Sequence, residues 1–198
     1  MKQDELRQKL IDGAIHVIAN DGLDKATTKH IGHAAMMNEV YIYRYFEDKE
    51  DLFSKTFDYL DEQLFEKIMQ HFSVMDIQDM EFELRCRFFF FSIWSFLLGS
   101  REKALTYTRY YYSPYFMKYS CTAHQRRYQP FLEKIKPAFK EEADVWMILN
   151  HILNVILDFA VKVHNGQMSG EDNYAEHVFR VIYVSVKQYF KQAKEGDS

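Results

Sequence analysis

The sequence predicts an all-α protein, and three features predict it. Only seven Gly and three Pro stand among its 198 residues, too few for the many tight turns that a strand-rich chain of this length needs. Apolar residues return at steps of three and four through most of the chain. Side chains able to cap helices, Thr27, Asn38 and Asp48, stand where successive helical patterns begin. Apolar and charged shares of 47% and 27% exclude disorder and polyelectrolyte behaviour.

The first helix is expected from about Asp4 to Ala19, with Leu6, Leu10, Ala14, Val17 and Ile18 on its apolar face, and Asn20-Asp21-Gly22 ends it. Thr27 then opens a helix of barely two turns that buries Ile31, Ala34 and Ala35 and stops near Met36. Asn38 opens a third, Glu39 to Tyr45, and Asp48 with Asp51 repeats the capping logic before a long fourth helix. Leu52, Phe53, Phe57, Leu60, Leu64 and Ile68 keep its period to about His71. Further helices are expected near residues 78–98, 101–111, 122–136, 141–165 and 172–193, with breaks at Gly99-Ser100, Ser113-Pro114, Pro137 and Asn165 to Gly170.

Several function classes fall away. The amino terminus has no apolar segment behind a basic patch, and the greasy run Phe88 to Leu98 is interrupted by serines, so neither a signal peptide nor a membrane span is expected and a cytoplasmic location is. Cys86 and Cys121 are too far apart for a disulfide framework or zinc site. His30 and His33 share a helix face but have no third ligand at zinc-like spacing, so no metal and no cofactor are expected. No Gly-rich phosphate loop or nucleophile elbow is present, and Asp158 with His164 makes no catalytic constellation, so an enzyme is not expected.

Two short helices joined by a tight turn and braced by a longer one form a helix-turn-helix arrangement, whose second short helix can enter a major groove about 12 Å wide. The letters add to this. Thr28, Ile31, Ala34-Ala35, Tyr43-Arg44-Tyr45-Phe46, Lys49 and Leu52 stand at spacings that closely resemble the TetR/AcrR family of transcriptional regulators, and the resemblance covers roughly residues 6 to 57. It implies a three-helix DNA-binding domain over residues 1–48 and a helical effector-binding and dimerisation domain over 49–198. It also implies that Thr28, Tyr43, Tyr45 and Lys49 hold phosphates, contacts that fix register. Lys29, Glu39, Val40, Tyr41 and Arg44 then face base edges, where a lysine reaches guanine and a glutamate accepts from cytosine. Lys49 sits beside the free N–H groups of a helix start, which favour an anion.

Three features depart from the family pattern. Met36 stands where Gly is usual and must take a left-handed backbone or reshape the turn. Tyr41 replaces a small residue. Residues 1–53 hold seven Lys and Arg against ten Asp and Glu, which predicts weak nonspecific affinity and binding concentrated at a matched operator.

An aromatic share of 17% is the compositional outlier. Rings crowd residues 88–119, and Phe89, Trp94, Tyr107, Tyr110, Tyr111 and Tyr115 are the candidate lining of an apolar effector pocket, with plain core packing as the other reading. Arg85, Arg87 and Arg109 either meet an anionic ligand or face water. The last two long helices each show more apolar surface than one stripe. Ile148, Ile152, Ile156, Val178, Ile182 and Tyr189 are therefore expected to pair across a two-fold, four-helix homodimer interface. The expectation is a ligand-responsive regulator, a repressor that releases a palindromic operator when an apolar or aromatic small molecule binds. The competing reading is a helical ligand-binding or interaction protein with a non-functional DNA-binding module.

Overall fold

The computed structural model describes residues 3–77 and 79–191, and it is helical with no strand among them. Helix α1 spans Gln3–Asp21, and Gly22 closes it at φ +87°, a backbone that costs glycine nothing. Helix α2 spans Thr28–Ala34, opened by the Thr27 hydroxyl, which accepts from the His30 N–H at 3.2 Å. A single 3-10 turn, Glu39–Tyr41, leads into α3, Ile42–Tyr45, and Asn38 accepts from the Val40 N–H at 3.0 Å. Helix α4 spans Lys49–His71 and runs on as a 3-10 turn, Phe72–Asp76. At its start Asp48 accepts from the Asp51 N–H at 2.7 Å while the Asp51 carboxylate accepts from the Glu47 N–H at 3.1 Å. This reciprocal pair satisfies two donors of a helix entrance.

The remaining helices are α5, Phe82–Leu98; α6, Arg101–Tyr111; α7, Cys121–Ile135; α8, Val145–His164; and α9, Asp172–Val186. The first seven expected elements lie within a few residues of their observed positions. Helix α8 starts four residues late, because Asp144 caps it by accepting from the Met147 N–H at 2.9 Å. Helix α9 gives way after Val186 to a 3-10 turn, Lys187–Tyr189, and the last two residues of its expected span lie outside the described residues. A π-helical turn, Phe116–Ser120, precedes α7 and was not expected.

Core packing explains the arrangement. Leu10, Ala14 and Ile18 of α1, Ile31 of α2, Ile42 of α3 and Leu52 of α4 have no exposed surface and meet in one apolar cluster. Gly13 permits the crossing of α1 and α2, since a Cβ there would lie 2.9 Å from the Ile31 carbonyl oxygen. The same cluster continues through Phe53 and Phe57 into α5 and α6 and on to α8 and α9.

Helix α8 corrects the expected dimer stripe. It packs on α5, α6 and α9 of its own chain, so both its apolar stripes have intrachain partners. Ile148, Ile156, Val178 and Ile182 are 2–6% exposed, and Ile152 and Tyr189 are half-buried against the core. The residues expected at a dimer interface thus build the core of one chain. The apolar side chains that α8 and α9 leave exposed are Met147, Val181 and Val184. Val145–His164 is also long and apolar enough, by length and composition, to cross a bilayer, which the sequence reading overlooked.

Candidate DNA-facing surface and effector cavity

The α2–α3 unit presents one face. Along α3 and its entrance, Ile42 and Phe46 are 0% and 4% exposed, while Val40 and Tyr43 are 58% and 61% exposed. Lys29, Glu39 and Arg44 are exposed beside them. Val40, Tyr43 and these charged side chains therefore share one exposed face. Thr28 is half-buried, and its hydroxyl lies 3.5 Å from the Glu39 carboxylate, linking α2 to the entrance of α3. Met36 takes the left-handed backbone at φ +54°, with its side chain 95% exposed, and the turn keeps its bonds: Met36 N–H to His33 O at 3.0 Å and Met37 N–H to Gly32 O at 2.8 Å.

Not every expected contact faces out. Tyr41 is half-buried against the core, with the Arg44 guanidinium 5.0 Å from its ring centroid, so Arg44 and not the Tyr41 ring is the exposed partner of that pair. The ring is drawn in because α3 is short and its inner face must cover the cluster around Ile42. Tyr45 is half-buried in the same way. The Lys49 ammonium stands 5.5 Å from the Phe53 ring centroid, in the first turn of α4.

A cavity of about 1260 Å³ opens among α4, α5, α7, α8 and α9, larger than the usual range for drug-sized ligands. Its wall along α7 runs from His124 to Ile135, a rise of about 16 Å. Of the six aromatics expected to line a pocket, Phe89 does so. The others lie elsewhere, because α6 turns its rings onto α4. Tyr110 stacks on Phe57 at 4.9 Å, and Tyr107 borders a separate hollow of about 260 Å³. Tyr111 donates to Asn150 Oδ1 at 2.9 Å, Tyr115 stacks with Tyr110 and Tyr119, and Trp94 is buried beside Phe90. The sequence carried the cavity as a scatter of single residues from five helices, which no local pattern gathers.

Behind the inner end of the cavity lies a buried polar cluster that the sequence did not reveal. Asp61 of α4 has no exposed surface. Its Oδ1 accepts from the Tyr107 hydroxyl at 3.0 Å and faces His124 Nδ1 at 3.0 Å, and its Oδ2 pairs with Arg127. Burial pushes the Tyr107 and Tyr128 hydroxyls well above the usual phenol range, so both stay protonated; Tyr107 donates to Asp61, while the Tyr128 hydroxyl has no hydrogen-bond partner. His124 and Tyr128 also line the cavity. Cys86, another lining residue, has its thiol pushed up to about 12 by burial. Among the described residues no group of three His, Cys, Asp or Glu side chains is placed to hold a metal ion.

The three arginines separate. Arg87 pairs with Glu176 at 2.5 Å and Arg109 donates to the Ile18 carbonyl at 2.5 Å. Arg85 lines the cavity.

Comparison with known proteins adds the following. Residues 10–56 match the family model of bacterial regulatory proteins, tetR family. A TetR family transcription regulator from Marinobacter aquaeolei VT8 superposes with a TM-score of 0.75 at 17% identity, over 92% of this chain and 95% of that one. A TetR-like transcriptional regulator from Rhodococcus sp. RHA1 does so at 0.71 and 14%, over 94% and 98%. The transcriptional regulator FadR from Bacillus subtilis, in complex with stearoyl-CoA, does so at 0.66 and 20%, over 88% and 96%. At these identities the likeness is one of fold. No curated protein matches the chain.

Proposed function

We propose that the chain, whose residues 10–56 match the tetR family model and whose fold is that of TetR family regulators, is a homodimeric, ligand-responsive transcriptional repressor acting on DNA in the cytoplasm, and not an enzyme. The observation that carries this reading is α4 itself. It is one unbroken helix of 23 residues, about 35 Å long, whose first turn holds Lys49 beside the DNA-facing unit and whose later turns supply Leu64 and Ile68 to the cavity wall. A ligand that prefers one position of α4 therefore changes the placement of α3, and in a two-fold dimer it changes the spacing of two recognition helices.

In this reading Thr28, Tyr43, Tyr45 and Lys49 hold phosphates, and Lys29, Glu39, Val40 and Arg44 meet base edges. The domain boundary falls at residues 48/49, where the Asp48 cap begins α4. The exposed side of α8 and α9, with Met147, Val181 and Val184, supplies the dimer contact. The cavity holds the effector; one fold neighbour, FadR from Bacillus subtilis, forms a complex with stearoyl-CoA. The turn at Met36 keeps its backbone bonds despite the left-handed conformation, which supports a functional DNA-binding module over the competing reading.

The test is selection of bound sequences from a random duplex pool. An inverted repeat is expected, and Lys49→Ala should weaken its binding and make the salt dependence shallower by about one unit of slope. Recovery of no common sequence overturns the repressor reading.

A further inference from the structure

The cavity sorts its polar groups by position. Its inner wall, with Leu64, Ile93, Trp146 and Ile156, is largely apolar and carries no charged side chain, its polar groups being His124, Tyr128 and Asn150, of which the Tyr128 hydroxyl is buried with no hydrogen-bond partner. Its outer end carries four cations, Arg85, Lys134, Lys187 and Lys191, against one carboxylate, Asp76, although the whole chain has a net charge of -4. Phe82 and Phe190, 4.8 Å apart, mark that end, and the Arg85 guanidinium stands 5.3 Å from the Phe82 ring. Lys134, Lys187 and Lys191 are exposed at the rim, whereas Arg85 is half-buried. Arg85 uses one guanidinium nitrogen to donate to the Met75 carbonyl at 2.7 Å, and its Nε is buried with no hydrogen-bond partner. A buried donor left unpaired beside a cavity carries a cost that an acceptor from a ligand would remove. A guanidinium fork is shaped for a carboxylate or phosphate.

We propose that the cavity takes a single-chain amphiphile with an anionic head. Arg85 receives the head at the outer end, the three lysines surround it, and the hydrocarbon tail lies along α7 toward His124. This assignment rests on the cavity being the effector site. It also gives the head a hold on α4, since Met75 belongs to the 3-10 turn that continues that helix. An anion on Arg85 acts on the far end of the element whose first turn bears Lys49.

The experiment measures binding of decanoate, decanoyl-CoA, decanol and decylamine to the full chain by calorimetry, with Arg85→Gln and Arg85→Lys in parallel. At least one of the two anions should bind about tenfold or more tightly than decanol, with decylamine weakest, and added salt should narrow the gap. Arg85→Gln should erase the gap while leaving decanol binding as it was, and Arg85→Lys should keep part of it. Whichever anion ranks first identifies a free carboxylate or a thioester-borne phosphate as the head. Equal binding of decanol and both anions overturns the proposal, as does an Arg85→Gln variant that weakens every probe alike. No binding by any probe overturns it too. If an inverted repeat is still recovered from the DNA pool, the repressor reading survives that failure; if none is recovered, it falls separately.

Discussion

Replacing Asp61 by Ala should cost the protein about 3–5 kcal/mol, the range for removing one partner of a buried ion pair. The carboxylate has no exposed surface and holds Tyr107 and His124 at 3.0 Å each, besides Arg127. The Tyr107 hydroxyl and the His124 ring, both buried, are left unpaired at about 1–3 kcal/mol apiece. These losses overlap because the groups share one carboxylate, so they do not add to the ion-pair figure. Arg127 escapes part of its share, its side chain being 20% exposed. Asp61→Asn separates the contributions. The amide oxygen can keep Tyr107 and His124, but its NH2 then faces the guanidinium, and the lost charge-assisted bond is worth about 1.5–3 kcal/mol. Urea unfolding followed by circular dichroism gives both values, provided the slope m is unchanged. A midpoint for Asp61→Ala within about 1 kcal/mol of the wild type, or one no lower than that of Asp61→Asn, would refute the view that this cluster joins α4 to α6 and α7.

Three other outcomes are expected. Met36→Gly should stabilise the protein by up to about 1 kcal/mol, because relief of a left-handed backbone at about 1–2 kcal/mol outweighs the glycine entropy of about 0.5–1 kcal/mol; an unchanged or lower urea midpoint would contradict the strain. Burial raises the Asp58 carboxyl above 3.8, with Arg127 and Lys55 opposing, and its Oδ1 has no hydrogen-bond partner. A raised carboxyl stabilises the fold below its unfolded pKa and loses that stabilisation as pH rises through its folded pKa, so Asp58→Asn should melt higher than wild type at pH 7 and alike below about pH 3. A gain confined to acid would reverse the sign. Val181→Arg, at a side chain 57% exposed in the single chain, should fold normally yet elute as a monomer and lose operator affinity. A dimer with full affinity would move the interface off α8 and α9.

What the sequence made legible follows from how local each signal is. Thr27, Asn38 and Asp48 could be read as caps because the groups that they satisfy lie within three residues, and each makes the expected bond. Helix α4 kept its length because Leu52 to Ile68 repeats one period without a breaker. Tyr41 shows where locality ends: the family resemblance implied a base contact, while its ring packs half-buried against the core cluster. The dimer stripe failed for a related reason. Periodicity shows that two faces of α8 are apolar but not which covers them, and α5, α6 and α9 of the same chain do so. Asp61, spaced like any polar residue of α4, becomes a junction only when Tyr107 and His124 arrive from 46 and 63 residues away.

Helix α6 decides how motion of α4 would reach the DNA-facing unit. Its Thr106 hydroxyl donates to the Ile15 carbonyl at 2.9 Å and Arg109 to the Ile18 carbonyl at 2.5 Å, while Glu102 meets His16 at 2.8 Å. Two turns of α6, Glu102 to Arg109, thus grip α1 while Tyr107 between them grips Asp61 of α4. A second buried link, Ser54 to Ser120 at 3.2 Å and Tyr110 to Ser120 at 3.0 Å, joins α4 and α6 to the π-helical turn. Sliding α4 past α6 would break charge-assisted and buried bonds together, each expensive to leave unmade. If the cavity is the effector site, the cheaper response to its filling is for α1, α4 and α6 to tilt as one body against α5, across aromatic rings such as Phe72 on Phe89 at 6.3 Å, while the Tyr111–Asn150 and Tyr112–Asn154 bonds keep α6 on α8. Apolar contacts of that kind have no donors to orphan, so they can repack where the polar junction cannot. In the proposed regulator, an effector would then act by wedging at the ring-lined side of α4, with the Asp61 cluster keeping the displaced body rigid enough for α3 to follow.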